Sequence, residues 1–99
     1  MPTHLRLLAV TDLHRSQQLY AELSGVVSRL RPNVLALVGD FIDVIGLHQP
    51  QLTSRECAKV IARCPVPAVV FVRGNHEDLN WLDFEEVWNR TGKKARLSR

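Results

Sequence analysis

The chain has 99 residues, of which 45% are hydrophobic and 23% are charged. This length allows one small domain or part of one, and this composition is that of an ordinary globular protein rather than a disordered chain. No apolar run approaches the roughly 18 to 20 residues that cross a bilayer, so we expect no contact with a membrane.

The positive charge is concentrated at the C-terminal end. The formal net charge is +3, yet residues 90–99 hold five of the thirteen basic residues and none of the ten acids, which leaves residues 1–89 with a net charge of −2. A short basic terminus is typical of a solvated, poorly ordered tail. We therefore predict a domain over residues 1–89 and a basic tail over residues 90–99, and we do not expect nucleic acid as a partner.

The two cysteines are predicted to be buried thiols. Cys57 and Cys64 are seven positions apart in a predicted helix, about 10 Å along its axis, which is too far for a disulfide. With no cysteine pair at metal-binding spacing and no secretory leader, the sequence predicts a reducing cytoplasm as the location.

A first apolar run, residues 5–10, predicts a strand, and a helix follows it. Ser16 is the predicted N-cap of this helix, and Pro32 is expected to end it. Gly25, inside the helix, is expected to mark a close approach to a neighbour. The predicted buried face has the spacing of one side of an α-helix and consists of Leu19, Leu23, Val26 and Leu30.

The second apolar run, residues 33–38, predicts a buried central strand, and residues 44–51 are predicted to form a loop. Thr53 and Glu56 have the spacing of a capping box and open a second helix. The predicted buried face of this helix consists of Cys57, Val60, Ile61 and Cys64.

A third strand is predicted over residues 66–72, and an amphipathic segment follows over about residues 80–90. Gly92 is expected to terminate this segment. The order β-α-β-α-β-α predicts an α/β fold with a mainly parallel sheet and right-handed crossovers. The aromatic side of the third segment consists of Trp81, Phe84 and Trp88.

Each predicted strand is followed by residues that can bind a metal ion. Asp12 and His14 follow the first strand, and in extended geometry their side chains project to the same side. A carboxylate with an imidazole suits Mn²⁺, Fe²⁺ or Zn²⁺. Taken alone, this triplet also fits a loop aspartate beside a packed or solvated histidine.

Asp40 follows the second strand, at the sheet edge where ligands bind in open α/β folds. Its two oxygens can bridge two ions, an arrangement that stabilises both the attacking and the leaving oxygen of a phosphoryl displacement. Asp43 either orients a ligand or caps a turn, and both interpretations stay open.

After the third strand, Asn75 offers an amide oxygen as a neutral metal ligand. His76 can then face the substrate and protonate a leaving alkoxide. Glu77 or Asp78 is the acid expected to raise the basicity of this histidine.

Taken in order, these three motifs closely resemble the first three signature blocks of the calcineurin-like metallophosphoesterases. The resemblance implies an αββα sandwich, of which this chain would form the β-α-β-α-β-α half, and hydrolysis of a phosphomonoester or phosphodiester by a metal-bound hydroxide at a site with two divalent ions. The matching motifs are Asp12-x-His14, Gly39-Asp40-x-x-Asp43 and Gly74-Asn75-His76-Glu77.

The resemblance also implies a role for each matching residue. Asp12 and His14 would hold the first metal, Asp40 would bridge both metals, and Asn75 would hold the second. His76 would contact the phosphate or act as general acid. The candidate catalytic residues are therefore His76 and Asp43, and Glu77 and Asp78 are the residues expected to support them.

The chain departs from the family pattern at three places. Val44 stands where the similar protein serine/threonine phosphatases have an arginine, which argues against that subgroup. Arg15 follows His14 where a glycine is frequent, and this either changes the backbone approach to the metal or puts a charge near the phosphate. The Gly-His-x-His block of the family's second half is absent from these 99 residues.

Three functions are therefore weighed. The first is a metal-dependent phosphoesterase, or the N-terminal portion of one, that acts on a phosphate-ester substrate. The second is a non-catalytic, truncated remnant or half-domain, in which a second copy or a complementary half covers the sheet that half a sandwich leaves exposed. The third is a nucleic-acid-binding module that uses the basic tail, which the net charge of −2 on residues 1–89 disfavours.

Overall fold

The structure, a computed structural model, describes residues 5–39, 50–72, 78–92 and 95–98, and for residues 78–80 and 95–98 it describes the backbone alone. Strands and helices alternate along the chain. The elements are β1 (Leu7–Val10), α1 (Gln17–Leu30), β2 (Val34–Val38), α2 (Ser54–Arg63), β3 (Ala68–Val72), α3 (Asp78–Arg90) and β4 (Ala95–Ser98).

The sheet has the strand order β1-β2-β3-β4, and all neighbouring strands are parallel. The predicted β-α-β-α-β-α order and parallel sheet are confirmed. Because each strand pairs with the next along the chain, right-handed crossovers put all three helices on one face. Accordingly α2 packs against both α1 and α3.

Burial alternates along the strands, as one covered face requires. Leu35 and Leu37 of β2 are fully buried beneath the helices. On the opposite face, Leu7 and Val38 are 66% and 41% exposed. The described part of the chain therefore has one packed sheet face and one partly open apolar face.

The largest aromatic cluster lies between β3 and α3. The ring of Phe71 meets the rings of Trp81, Phe84 and Trp88 edge-on, with centroids 4.9 to 6.2 Å apart. Edge-on pairs at this distance are a favourable arrangement of aromatic rings. The predicted aromatic side of α3 is confirmed, and it fixes this helix against the strand that leads to the third motif.

The first helix begins as predicted but buries a different face. The Ser16 hydroxyl accepts a hydrogen bond from the Leu19 amide at 3.2 Å, which confirms the N-cap. The predicted stripe is correct at Leu23, and Leu19 is partly buried against the core, but the stripe is wrong at Leu30, which is 49% exposed. Tyr20 carries more apolar area than a leucine, and its burial turns the helix toward the face formed by Tyr20, Leu23 and Val27.

The prediction for Gly25 is also wrong. A Cβ atom at this position would meet no heavy atom within 4 Å, and the residue is exposed. The glycine therefore marks no close approach to a neighbour in the described part of the chain.

The second helix has the predicted capping box. The Glu56 amide donates to the Thr53 hydroxyl at 3.1 Å, and the Thr53 amide donates to the Glu56 carboxylate at 3.0 Å. The hydrogen bonds from Thr53 are the main cause that holds the pKa of Glu56 below its ordinary value. Cys57 and Cys64 are buried free thiols, as predicted.

The C-terminal residues do not all match the predicted tail. Residues 95–98 form β4, which pairs with β3 from Val69 to Val72, so the expectation of a solvated, poorly ordered terminus is wrong for these four residues. Pairing with the free edge of β3 satisfies backbone groups that water would otherwise solvate. The predicted turn at Gly92 is confirmed, since this residue has a φ of +73° after the end of α3. The boundary between residues 89 and 90 stays a prediction.

Candidate functional site

The ends of the first three strands meet at one edge of the sheet. The Gly39 amide, after β2, donates to the Val72 carbonyl at the end of β3 at 2.7 Å. The Thr11 hydroxyl, after β1, approaches the Gly39 carbonyl at 3.5 Å. The chain therefore leaves all three strands close to one point, directly before each of the three motifs.

Asp12 and His14 lie in a tight turn between β1 and α1. Asp12 has a φ of +60° and His14 a φ of +47°, so neither residue is extended. The geometry from which we predicted their convergence is therefore wrong, but the convergence itself is present. His14 Nε2 lies 3.6 Å from Asp12 Oδ1 because the left-handed turn brings the two side chains together.

The separation of these two atoms fits a shared metal ion. It is longer than a hydrogen bond and shorter than about 4.2 Å, twice a typical metal–ligand distance, so one ion can touch both atoms. The Asp12 side chain is 62% exposed and that of His14 is 24% exposed, which leaves the carboxylate open to an ion from solvent. An oxygen and an imidazole nitrogen are suitable donors for Mn²⁺, Fe²⁺ or Zn²⁺.

Two donors do not complete a metal site. Within the described ranges, no group of three or more His, Cys, Asp or Glu side chains is placed to hold an ion. An ion held by Asp12 and His14 would therefore need further ligands. Gly39 ends a described range directly before Asp40, the residue expected to bridge both ions.

Most of the other predicted site residues lie outside the described residues: Asp40, Asp43, Asn75, His76 and Glu77. Asp78 is the first residue of α3, and only its backbone is described. The roles of these six residues stay predictions.

The turn with Asp12 and His14 is joined to the segment that precedes α2. The Leu52 amide donates to the Arg15 carbonyl at 2.7 Å, and the Gln17 amide donates to the Pro50 carbonyl at 3.1 Å. These bonds make a short antiparallel bridge between residues 37 or 33 positions apart in sequence. The turn is thereby fixed to the start of a second helix.

Two side chains reinforce this junction. Gln51 Nε2 donates to the His14 carbonyl at 3.1 Å, and an Arg15 guanidinium nitrogen donates to the Leu52 carbonyl at 3.4 Å. The bond to Leu52 draws the Arg15 guanidinium toward the segment before α2. The Arg15 backbone has a φ of +57°, a conformation that a glycine adopts without strain. Sequence analysis missed Gln51 because nothing in a predicted loop indicated which backbone its side chain would reach.

The fold is thus an α/β sheet with an Asp–His pair at the carboxyl ends of parallel strands, which is where ligands bind in open α/β folds. The sequence model of the calcineurin-like phosphoesterases matches residues 5–97, and the chain belongs to that family. The predicted family is confirmed, and its members are phosphoesterases that generally use two divalent ions. Compared with curated protein sequences, the chain shows no match. In the described part of the chain, no helix is both long and apolar enough to span a bilayer.

Proposed function

We propose that this chain supplies the first metal ligands of a phosphoesterase that hydrolyses a phosphomonoester or a phosphodiester. The observation that carries this proposal is the 3.6 Å approach of His14 Nε2 to Asp12 Oδ1 beside three strand ends, in a member of the calcineurin-like phosphoesterases. A carboxylate together with an imidazole favours Mn²⁺, Fe²⁺ or Zn²⁺ over ions that prefer oxygen ligands alone.

The proposed roles follow the order of the motifs. Asp12 and His14 would hold one ion, Asp40 would contribute to both ions, and Asn75 would hold the second. Two bound divalent ions supply Lewis-acid activation of the phosphate ester. His76 gives a proton to the leaving oxygen, with Glu77 or Asp78 raising its basicity, and Asp43 orients the ligands around Asp40.

A second proposal concerns the partly open sheet face. Leu7 and Val38 are exposed there, and an apolar sheet face in water is typically a contact surface. We propose that a second copy of the chain or a complementary half covers this face. Such an association would also give a non-catalytic half-domain a way to act.

The two buried free thiols are consistent with a reducing cytoplasm, which we propose as the location.

The enzymatic proposal is tested by hydrolysis of a chromogenic phosphodiester and a chromogenic phosphomonoester with Mn²⁺. Asp12→Asn keeps the shape of the side chain but removes its charge, and we expect the rate to fall by about 100-fold or more. The matched control is Asp83→Asn, since Asp83 is exposed on α3 and pairs with Arg55. A folded wild-type chain that takes up Mn²⁺ without turnover would favour the non-catalytic half-domain.

The association proposal is tested separately by sedimentation of the wild-type chain and of Val38→Lys. If a second copy covers this face, the wild-type chain should sediment as a dimer, and the charge in Val38→Lys should shift the variant toward the monomer. The control is Leu82→Lys, since Leu82 is 76% exposed on α3, away from the sheet. A monomeric wild-type chain at every concentration would exclude a second copy and favour a complementary half.

A further inference from the structure

We propose that Gln51 is a positioning residue for the Asp12–His14 pair. This inference rests on the proposed function, because it assigns Gln51 to the same metal site. Its direct support is the 3.1 Å hydrogen bond from Gln51 Nε2 to the His14 carbonyl, which connects two segments 37 positions apart.

The turn needs support from outside because its own backbone disfavours it. Asp12, His14 and Arg15 all have a positive φ, a region that residues with a Cβ atom enter only at an energetic cost. Such a conformation persists when surrounding contacts over-determine it. Strained residues of this kind concentrate at functional sites, where the strain fixes a geometry.

Hydrogen bonds hold three successive carbonyl groups of the turn, those of Leu13, His14 and Arg15. The Ser16 amide donates to the Leu13 carbonyl at 2.8 Å and closes the turn on itself. The Leu52 amide then binds the Arg15 carbonyl, and the Gln51 side chain binds the His14 carbonyl. Gln51 thus reaches the backbone of a proposed ligand itself, whereas the bond from Leu52 reaches the residue after it.

The bond from Gln51 has a consequence for the metal. Fixing the carbonyl of His14 fixes the peptide plane on one side of its Cα atom, and with it the direction in which the imidazole leaves the backbone. Asp12 sits two residues earlier in the same turn, so the 3.6 Å separation of the two donor atoms depends on that direction. Partners that orient metal ligands commonly change metal affinity by about 10- to 100-fold when they are removed.

The variant that tests this role is Gln51→Met. Methionine keeps the length of the side chain and its apolar stem but cannot donate a hydrogen bond. The matched control is Gln18→Met, since Gln18 is an exposed glutamine on α1 whose side chain donates to Glu22 at 3.5 Å. Both variants make the same chemical change, but only one removes a contact to the turn.

Two measurements follow on both variants and on the wild-type chain. The first is amide hydrogen exchange of Ser16 and Leu52 in the metal-free chain, and the second is the Mn²⁺ dissociation constant by calorimetry. For Gln51→Met we expect exchange to become about fivefold faster and the dissociation constant to rise by about tenfold. For Gln18→Met we expect both quantities to stay within about twofold of the wild type.

The exchange and binding measurements together distinguish a failure of this inference from a failure of the proposed function. If Gln51→Met matches Gln18→Met in exchange, or exchanges faster but binds Mn²⁺ as tightly as the wild type, Gln51 is not a positioning residue. If the wild-type chain takes up no Mn²⁺, the proposed metal site fails and the assignment of Gln51 to it fails with it, whereas the exchange result still shows whether Gln51 holds the turn.

Discussion

Arg15 and Leu52 form a reciprocal pair across the junction of the β1–α1 turn with the segment before α2. The Leu52 amide donates to the Arg15 carbonyl at 2.7 Å, and the Arg15 guanidinium donates to the Leu52 carbonyl at 3.4 Å. In this arrangement the Arg15 backbone has a φ of +57°, which is energetically unfavourable for a residue with a Cβ atom. A residue with a strained backbone is therefore kept in place by bonds on both its main chain and its side chain.

Because the Arg15 backbone is strained, we predict that glycine is more stable than alanine at this position. In Arg15→Gly the backbone keeps the Leu52 bond and loses the left-handed strain, whereas Arg15→Ala keeps the strain. We expect R15G to be more stable than R15A by about 1 kcal/mol in the free energy of unfolding, measured by urea denaturation. At Glu22, exposed in α1, the order should reverse, with E22G about 1 kcal/mol less stable than E22A. The same order at both positions would contradict the strained turn.

The capping box predicts how stability depends on pH. Hydrogen bonds from Thr53 lower the pKa of Glu56 below its ordinary value of 4.5, so the charged form stabilises the folded chain. That contribution is present above the ordinary value and is lost as the pH falls through the lowered pKa. Glu56→Gln keeps an acceptor for the Thr53 amide but does not titrate.

We therefore expect the stability of the wild-type chain to fall more steeply than that of E56Q between pH 5 and pH 3. The measurement is urea denaturation of both proteins at several pH values. Parallel pH profiles for the two proteins would show that the cap carries no proton-linked stability.

The buried thiol of Cys57 makes the opposite prediction at high pH. Burial raises its pKa from 9.0 to about 12, and the Tyr20 hydroxyl bond and the charge of Arg15 offset this only in part. The stability that the neutral thiol contributes is fully present below about pH 9 and is lost as the pH rises toward 12. At pH 8.5 the folded chain should therefore expose almost no thiolate.

This is measured by alkylation with iodoacetamide in a Cys64→Ala variant, in which Cys57 is the remaining thiol. We expect alkylation in the folded state to be at least about 100-fold slower than in denaturant, since thiolate and access are both reduced. Comparable rates in the two states would mean that Cys57 is accessible and outside the core.

The sequence was sufficient to predict those parts of the fold in which a short apolar run is flanked by polar residues. The three strands, the capping box and the aromatic side of α3 all follow from periodicity and local chemistry. The buried side of α1 was predicted correctly only in part, because the burial of Tyr20 and Val27 depends on packing against the rest of the fold, which helical spacing alone does not reveal. The strand Ala95–Ser98 escaped notice because its pairing depends on the edge of β3.

The candidate site was predictable in its residues rather than in its geometry. Asp12 and His14 were identified by their chemistry, but the turn that joins them is left-handed and depends on contacts with residues far along the chain. Gln51 is an example of such a contact, since a glutamine in a loop gives no sign of the carbonyl that it reaches. Non-local hydrogen bonds of this kind become visible only in the folded structure.

The central claim is that Asp12 and His14 together hold a divalent ion. Calorimetric titration of Mn²⁺ into the wild-type chain, Asp12→Asn, His14→Ala and the control Asp83→Asn tests it most directly. We expect the wild type and D83N to bind alike, and each of the other two variants to bind at least about tenfold more weakly. Binding of equal strength in all four proteins, or no uptake by the folded wild-type chain, would contradict the claim.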